Sequence, residues 1–384
     1  MLILCAPDSF KESMTAQRAA RAMAVGIKSV FPEAEVVELP LADGGEGTVE
    51  AVCAAMGGAV QRVVVEDALG RERSGEFAWI PQTKLAVLES AAACGLEHIP
   101  REARDPLVTS TRGVGQLISA ALDLGAEEIV IGLGGSATND AGAGMLEALG
   151  VRFLGEDGKA LPPGGAALTG LVDVDLSGLD PRLAGTRVRA ACDVDNPLLG
   201  PAGASAVFGP QKGASPADVE TLEASLTRWA DVMEAVTGKR VRDIAGAGAA
   251  GGMAAGLLIG APAVLQSGAD LVLDAVGAQT LLEKADLVLT GEGSFDLQSA
   301  NGKVPCQLAS RAAASGAVTF VFAGRVALGP SDHLPPGVDA VIPIVREPGS
   351  LEDALANGEQ NLQAAVATAC QLIKIGRGEI GADR

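Results

Sequence analysis

Acidic side chains recur where apolar runs of this chain give way to turns of small residues. Four such places carry carboxylates: Asp8; Asp43 and Glu46; Asp193 and Asp195; and Glu292 and Asp296. Each has a possible structural explanation, because Asp and Glu also cap helices and stabilise turns. Four places of the same kind predict a site for a hard cation such as Mg²⁺, which prefers oxygen ligands.

Lysines lie in comparable loops, and these are Lys11, Lys212 and Lys303, the last two directly beside a glycine. A single lysine is usually a solvated surface charge, but this chain has a net charge of −19. Lysines beside acidic turns therefore suggest that phosphate charge is neutralised there. Acids for a metal ion and lysines for phosphate together describe phosphoryl transfer, in which a protein mainly positions groups and stabilises charge.

A glycine-rich turn is the most polar loop of the chain. Residues 127–150, EEIVIGLGGSATNDAGAGMLEALG, predict a strand, this turn and then a helix. Glycines let a backbone come close to a ligand, and the free N–H groups at a helix start attract anions. Ser136, Asn139 and Asp140 are thus candidates for binding substrate or phosphate. The alternative is that Asn139 or Asp140 only caps the helix.

The same loop also fits the dinucleotide-binding pattern G-x-G-x-x-[GA] between Gly132 and Ala137. Glu156 and Asp157 follow at the distance expected of the ribose-binding acid. An NAD(P)-dependent dehydrogenase is therefore an alternative function.

The composition limits the classes of protein to which this chain can belong. The chain has 384 residues, 48% of them hydrophobic, with 50 glycines and no Tyr, which is typical of a large α/β protein with two domains. The acidic net charge argues against nucleic acid or an anionic membrane as partner. No apolar run approaches the ~20 residues of a membrane span, so we expect a cytoplasmic protein. With only two histidines, a Ser-His-Asp hydrolase or a His-ligated zinc centre is not expected.

The order of elements predicts two domains. The chain opens with a β-α-β-α pattern, and the β-α-β pattern returns after residue 285. Residues 1–66 and 286–384 are expected to form one parallel α/β domain, and residues 67–285 an inserted mixed α/β domain. A hairpin at 75–89 belongs to the insert, and residues 290–296 are expected to form a turn after a strand at 287–289. The cleft between the domains is the expected pocket.

Several blocks of residues resemble the bacterial glycerate kinase family of the type-one class. They appear in the family's order and are APDSFKES (6–13), LADGGEGT (41–48), GLGGSATNDAGAGM (132–145), ACDVDNPLLGP (191–201), FGPQKGA (208–214), and TGEGSFD (290–296) followed by NGK (301–303). Two departures flank the blocks: Glu12 stands where the family usually has Gly, and Ser299 where Thr is common. The resemblance implies ATP-dependent phosphorylation of D-glycerate to 2-phosphoglycerate with Mg²⁺. It also implies a flavodoxin-like domain from both chain ends and an inserted domain that resembles restriction-endonuclease folds.

Roles for individual residues follow as hypotheses. Asp193 is the first choice for the base that accepts the proton of the attacking hydroxyl, and Lys11 would neutralise the transferring phosphoryl group. Asp296 and Asp43 would hold Mg²⁺. The candidates for substrate or nucleotide binding are Asp8, Ser9, Gly44, Gly45, Gly134, Gly135, Ser136, Asn139, Asp140, Asp195, Asn196, Lys212, Glu292 and Lys303.

The carboxylate of glycerate needs a donor of its own. Arg112 and Arg71 are possible donors, although the favoured interpretation of both is a surface ion pair. A third kind of function is a non-catalytic sensor of sugar acids. In every case the expected partners are small molecules, with the number of subunits left open.

Overall fold

The computed structural model describes residues 1–42, 47–296, 303–329 and 333–378. The predicted site residues Asp43, Gly44 and Gly45 lie outside these ranges. The strands of the described residues are β1 (Leu2–Cys5), β2 (Glu35–Glu38), β3 (Ala59–Glu66), β4 (Glu72–Ile80), β5 (Leu85–Glu89), β6 (Glu128–Gly132), β7 (Arg152–Leu154), β8 (Asp173–Asp175), β9 (Arg187–Ala191), β10 (Ala263–Gln266), β11 (Leu287–Phe295), β12 (Val318–Val326) and β13 (Ala340–Pro343).

The α-helices of the same ranges are α1 (Ala16–Lys28), α2 (Thr48–Met56), α3 (Ala91–Cys94), α4 (Arg112–Asp123), α5 (Ala143–Ala148), α6 (Ala204–Phe208), α7 (Pro216–Thr237), α8 (Met253–Gly260), α9 (Gly268–Ala275), α10 (Ala278–Leu282), α11 (Val304–Ala314), α12 (Leu351–Ala356) and α13 (Gly358–Gly376). Short 3₁₀ helices lie in the connections, among them Leu96–His98, Arg101–Ala103 and Pro210–Lys212. None of the helices in the described ranges is long and apolar enough to cross a membrane.

The chain divides into two compact units. The first unit comprises Met1–Asp43, Ala54–Met56 and Val272–Arg384, and the second comprises Gly44–Cys53 and Gly57–Leu271. The first unit is therefore made from both ends of the chain.

The sheet of the first unit has the order β13-β12-β11-β1-β2, and all its neighbouring strands are parallel. Counted within the unit, this is the order 2-1-3-4-5 of doubly wound sheets. The direction of winding reverses between β1 and β11. In such sheets ligands bind at this reversal, outside the carboxyl ends of the strands.

Helix α1 illustrates how the sequence builds the first unit. The Thr15 side chain accepts a hydrogen bond from the Arg18 N–H at 3.3 Å and so caps the helix start. Met23 and Ile27 recur at helical spacing and are buried with Leu362 of α13. Burial of this apolar stripe fixes α1 beside α13.

The sheet of the second unit has the order β10-β9-β6-β5-β4-β3. The pairs from β10 to β5 are parallel, whereas β5-β4 and β4-β3 are antiparallel. Its core contains the largest buried side chains of this unit, Trp229, Phe77 and Phe153. Strands β7 and β8 form a separate two-stranded sheet.

The division between the units differs from the expected boundaries of 1–66 with 286–384 and 67–285. Residues 59–66 form β3, which pairs with β4 from Ala59 opposite Trp79 to Glu66 opposite Glu72, and so belongs to the second sheet. Residues 272–285 group with the first unit.

The expected turn at residues 290–296 is also corrected, because Thr290 to Phe295 continue β11 and pair with β12. Glycine in this strand provides close packing rather than a turn. A Cβ on Gly291 would lie 2.3 Å from the Phe322 carbonyl oxygen.

Candidate functional site

Acidic residues lie after the carboxyl end of β1 and along the last part of β11 in the first unit. The Asp8 N–H donates to the Gly291 carbonyl at 2.9 Å, which places Asp8 beside β11 one residue before Glu292. The Asp8 carboxylate accepts a hydrogen bond from the Ser9 N–H at 2.6 Å. Asp296 directly follows β11. The structure thus places Asp8 beside β11 where the sheet reverses its winding, and Asp296 follows the end of the same strand.

A lysine pairs with one of these acids. The Lys303 ammonium lies 3.0 Å from the Glu292 carboxylate, and Glu292 is buried while Lys303 is half-exposed. Lys303 immediately precedes α11, so it stands at a helix start where anions are favoured. An ammonium held between a carboxylate and a helix start is well suited to meet a phosphate.

Lys11 belongs to the same edge through its backbone. A Cβ on Gly293 would lie 3.3 Å from the Lys11 amide nitrogen, and the Lys11 side chain is exposed. The next residue, Glu12, has a φ of 64°, in the left-handed region that favours glycine.

The glycine-rich loop of the second unit presents its backbone to solvent. Gly134 and Gly135 are exposed, and Gly135 has a φ of 73°. A Cβ on Gly134 would meet no atom within 4 Å, so internal packing does not explain glycine there. A backbone hydrogen bond fixes the position of the loop, because the Leu96 N–H donates to the Gly135 carbonyl at 2.8 Å. The open glycines leave room for a ligand to approach the backbone.

Asp140, by contrast, supports the loop from inside. It is 1% exposed, and it accepts hydrogen bonds from the Thr111 N–H and hydroxyl at 2.9 Å each. The N–H groups of Gly142 and Gly144, at the start of α5, donate to it at 3.1 and 3.3 Å. Burial raises the pKa of the Asp140 carboxyl, and the hydrogen bonds oppose that rise. Its contacts match the capping alternative.

Lys212 and Asn139 are also enclosed. Lys212 is 2% exposed, and its ammonium donates to the Ser136 hydroxyl at 3.2 Å and to the Thr138 carbonyl at 2.6 Å. Burial lowers the pKa of Lys212 to about 8. Asn139 is fully buried, and its side-chain amide donates to the Ser205 hydroxyl at 3.0 Å. These side chains fix the shape of the loop, and its exposed glycines are what a ligand can reach.

The acids after β9 lie at the parallel edge of the second sheet. The exposed Asp193 carboxylate accepts a hydrogen bond from the Gly268 N–H at 2.9 Å, at the start of α9. Asp195 is exposed, while the Asn196 side chain donates to the Ala202 carbonyl at 2.8 Å and stabilises its own turn. The carboxylate of Asp193 thus caps the start of α9.

From the sequence, two arginines are possible donors to the carboxylate of the phosphoryl acceptor. Both form ion pairs with acidic residues of the protein. Arg112 pairs with Glu66 at 3.1 Å, and Arg71 pairs with Asp67 at 2.7 Å. Thr111 is a further residue that supports the glycine-rich loop, and it is not among the residues predicted from the sequence. Its hydroxyl accepts a hydrogen bond from the Met145 N–H at 2.9 Å and donates one to Asp140. The signal for Thr111 is the Ser/Thr run at 109–111 just before a helix start.

Within the part of the chain that the structure describes, no three Asp, Glu, His or Cys side chains lie close enough together to form a metal site. Mg²⁺ in nucleotide enzymes usually takes one or two carboxylates, the substrate phosphates and several waters. Carboxylates at the edge of the first sheet match that donor chemistry.

The dinucleotide pattern lacks its structural context. In the dinucleotide-binding fold the ribose-binding acid follows a second parallel strand of the same sheet. Here the strand before Glu156 is β7, which pairs antiparallel with β8 outside the six-stranded sheet.

Comparison with known proteins decides the family. A family model described as the glycerate kinase family matches residues 3–374. The chain belongs to this glycerate kinase family. It is 45% identical over 377 residues to the glycerate kinase of Bacillus subtilis strain 168, covering 98% of this chain and 99% of that protein.

Further relatives agree. The chain is 43% identical over 381 residues to the glycerate 2-kinase of Escherichia coli K12, covering 99% of this chain and 100% of that protein. The crystal structure of a putative glycerate kinase 2 from Salmonella typhimurium LT2 superposes with a TM-score of 0.91 at 43% identity, covering 98% and 99% of the two chains. As a glycerate kinase, the protein is an ATP-using enzyme that phosphorylates glycerate, so the dehydrogenase and sensor alternatives were wrong.

Proposed function

We propose that the enzyme transfers the terminal phosphoryl group of ATP to the 2-hydroxyl of D-glycerate and that it uses Mg²⁺. The observation that carries this proposal is that Asp8 and the Glu292–Lys303 ion pair lie where the first sheet reverses its winding, with Asp296 directly after the same strand. At one edge of the sheet, carboxylates can bind Mg²⁺ and lysines can neutralise phosphate charge. A site for a magnesium nucleotide needs both.

The first unit is assigned the nucleotide phosphates. Asp296, together with Asp43, would hold Mg²⁺ jointly with phosphate oxygens. Lys11 and Lys303 would neutralise phosphate charge, since each ammonium offers three donors on a flexible stem. When bound, Mg²⁺ supplies charge stabilisation at the phosphate oxygens.

The second unit is assigned the acceptor. Asp193 would accept the proton of the attacking hydroxyl as that oxygen forms its bond to phosphorus. The exposed backbone of Gly134 and Gly135 would donate hydrogen bonds to the acceptor or to the transferring group. Asn139, Asp140 and Lys212 would act from behind this loop by fixing its shape, since all three are buried.

The names of the two folds are part of the proposal. The order 2-1-3-4-5 of parallel strands supports a flavodoxin-like first unit. We assign the second unit, with its six-stranded mixed sheet, to the restriction-endonuclease-like class.

The test is a glycerate-dependent ADP-release assay, with the position of the phosphate on the product read by NMR. We expect 2-phosphoglycerate, with turnover abolished by EDTA and restored by Mg²⁺. A product phosphorylated at the 3-hydroxyl would overturn the proposed regiochemistry. Full activity in EDTA would overturn the proposal that the enzyme needs Mg²⁺.

The variant Asp193→Asn tests the base. Asn keeps an oxygen that can accept the Gly268 N–H, so the fold should be retained, while kcat should fall by about 10²–10⁴-fold. Asp243→Asn, at an exposed residue that pairs only with a neighbouring arginine, is the matched control and should keep normal kcat. A near-normal kcat for Asp193→Asn would remove Asp193 as the base.

A further inference from the structure

A cavity of about 510 Å³ in the second unit contains two arginines that the described site does not use. Arg101 and Arg104 line it together with the Gln211 side chain. Gly213, with a φ of 102°, closes one wall, where a Cβ would lie 2.4 Å from the Arg104 carbonyl oxygen. Guanidinium and amide donors in one concave surface are the chemistry that recognises an oxyanion.

Neither arginine has an acidic partner among residues 1–42, 47–296, 303–329 and 333–378. The Arg104 guanidinium donates only to backbone carbonyls, those of Ile99 and Leu96, each at 3.3 Å. The two arginines differ in this from Arg71 and Arg112, which carboxylates already neutralise. The cavity therefore keeps positive charge available for a ligand.

The cavity is joined to the glycine-rich loop by short contacts. Arg104 donates to the Leu96 carbonyl, and the Leu96 N–H donates to the Gly135 carbonyl at 2.8 Å. On the other wall, Gln211 and Gly213 flank Lys212, whose ammonium binds Ser136 and Thr138 of the same loop. The cavity is therefore connected to the loop that is assigned the acceptor through Leu96 on one path and Lys212 on the other.

We propose that Arg101 and Arg104 bind the carboxylate of the acceptor and so select glycerate over uncharged polyols. The proposal rests on the proposed function, because it supplies the donor that an anionic acceptor requires. Gln211, which also lines the cavity, has an amide that can donate to the same anion. The planar carboxylate suits the fork of donors that a guanidinium presents.

The test measures D-glycerate affinity by calorimetry and steady-state constants for the wild type and Arg101→Ala. The Arg101 side chain is exposed and forms no hydrogen bond with the other described residues, so its replacement should not disturb folding. We expect Kd and KM for glycerate to rise about tenfold, the size of one charge-assisted contact, with KM for ATP unchanged. Arg101→Glu should weaken glycerate binding further. Arg240→Ala, at an exposed arginine of the same unit, is the control and should match the wild type.

A neutral substrate separates recognition of charge from a general defect. The ratio of kcat/KM for glycerate to that for glycerate methyl ester should fall in Arg101→Ala and stay constant in Arg240→Ala. Unchanged glycerate affinity in Arg101→Ala would overturn the proposal, as would a rise in KM for ATP alone, which would assign the cavity to a phosphate. Glycerate binding without ADP release in the wild type would instead count against the proposed function and leave the binding measurement valid.

Discussion

Glu12 adopts a backbone conformation that costs energy for any residue with a Cβ. Its φ of 64° places it in the left-handed region, where a side chain crowds the following carbonyl. The resemblance to the glycerate kinase family assigns Gly to this position, and the structure gives the physical reason. The strain lies directly beside Lys11, at the edge that carries the proposed nucleotide site.

Replacing this residue should stabilise the protein. We expect Glu12→Gly to raise the free energy of unfolding by about 1 kcal/mol, because relief of the left-handed strain exceeds the entropy that glycine loses on folding. Urea denaturation followed by circular dichroism measures this. Glu33→Gly, at an exposed turn residue without positive φ, should leave stability equal or lower. A destabilised Glu12→Gly would show that the Glu12 side chain makes a compensating interaction.

Residue types alone predict which loops matter but not which side chains reach a ligand. Ser136, Asn139 and Asp140 are equally polar in the sequence, yet all three are buried. Their orientation depends on Thr111, Ser205 and Lys212, which lie between 29 and 76 residues away along the chain. Only the fold brings these partners together, so the sequence could not separate contact from support.

At the scale of elements, Lys212 fastens the 3₁₀ helix Pro210–Lys212 to the glycine-rich loop. Replacing it with Met removes two hydrogen bonds but also a buried charge, so stability should change little. We expect kcat/KM to fall about 100-fold, because a shift of ~1 Å in a positioning loop is enough for such a loss. Lys239→Met is the matched control, since Lys239 also donates to two carbonyls but at the surface. Normal kcat/KM in Lys212→Met would refute the positioning role.

Helix α5, which follows the same loop, should give the protein a dependence on pH. Burial raises the pKa of Glu147 from 4.5 to about 7, and the nearby Arg112 opposes the rise. The folded state therefore holds more protons than the unfolded state between these values, so stability falls as pH rises from about 4.5 to 7. Glu147→Gln should escape this loss, which we expect to be about 1–3 kcal/mol.

The measurement compares urea denaturation of wild type and Glu147→Gln at pH 5 and pH 8. The variant should gain stability relative to the wild type at pH 8 compared with pH 5. Glu156→Gln, at an exposed residue, should give a curve parallel to the wild type. Parallel curves for Glu147→Gln as well would show that Glu147 is charged at no cost.

Elements with strong sequence patterns could be predicted, whereas elements with weak patterns could not. Helix α1 has a capping Thr and apolar residues at helical spacing, which are the signals that predict the first helix of the β-α-β-α opening. Strand β3 was missed because only Val65 of its residues is fully buried, so its apolar alternation is weak. Gly291 and Gly293 were interpreted as turn residues, although they lie in β11, where neighbouring backbone approaches closely.

At the scale of the molecule, each unit has its own cluster of buried side chains. Both tryptophans, Trp79 on β4 and Trp229 on α7, lie in the second unit. Tryptophan fluorescence therefore reports one unit, whereas far-ultraviolet circular dichroism reports both. We expect the two signals to give different midpoints in urea. Glu12→Gly should move the circular dichroism curve and leave the fluorescence midpoint in place. Coincident curves that move together would mean that the units unfold as one.

The neighbouring strands at the centre of the first sheet are very far apart along the chain, with Ile3 paired to Leu287. After β1 and β2 are synthesised, the ribosome must add the whole of residues 57–271 before it makes β11. In the sheet, β11 lies between β1 and β12. At about 5–20 residues per second, the nascent amino-terminal strands wait on the order of 10–50 s. The second unit, almost continuous in sequence, can complete its core during that interval. Synthesis thus leaves one edge of β1 unpaired until β11 is made, at the part of the protein that is proposed to receive the nucleotide.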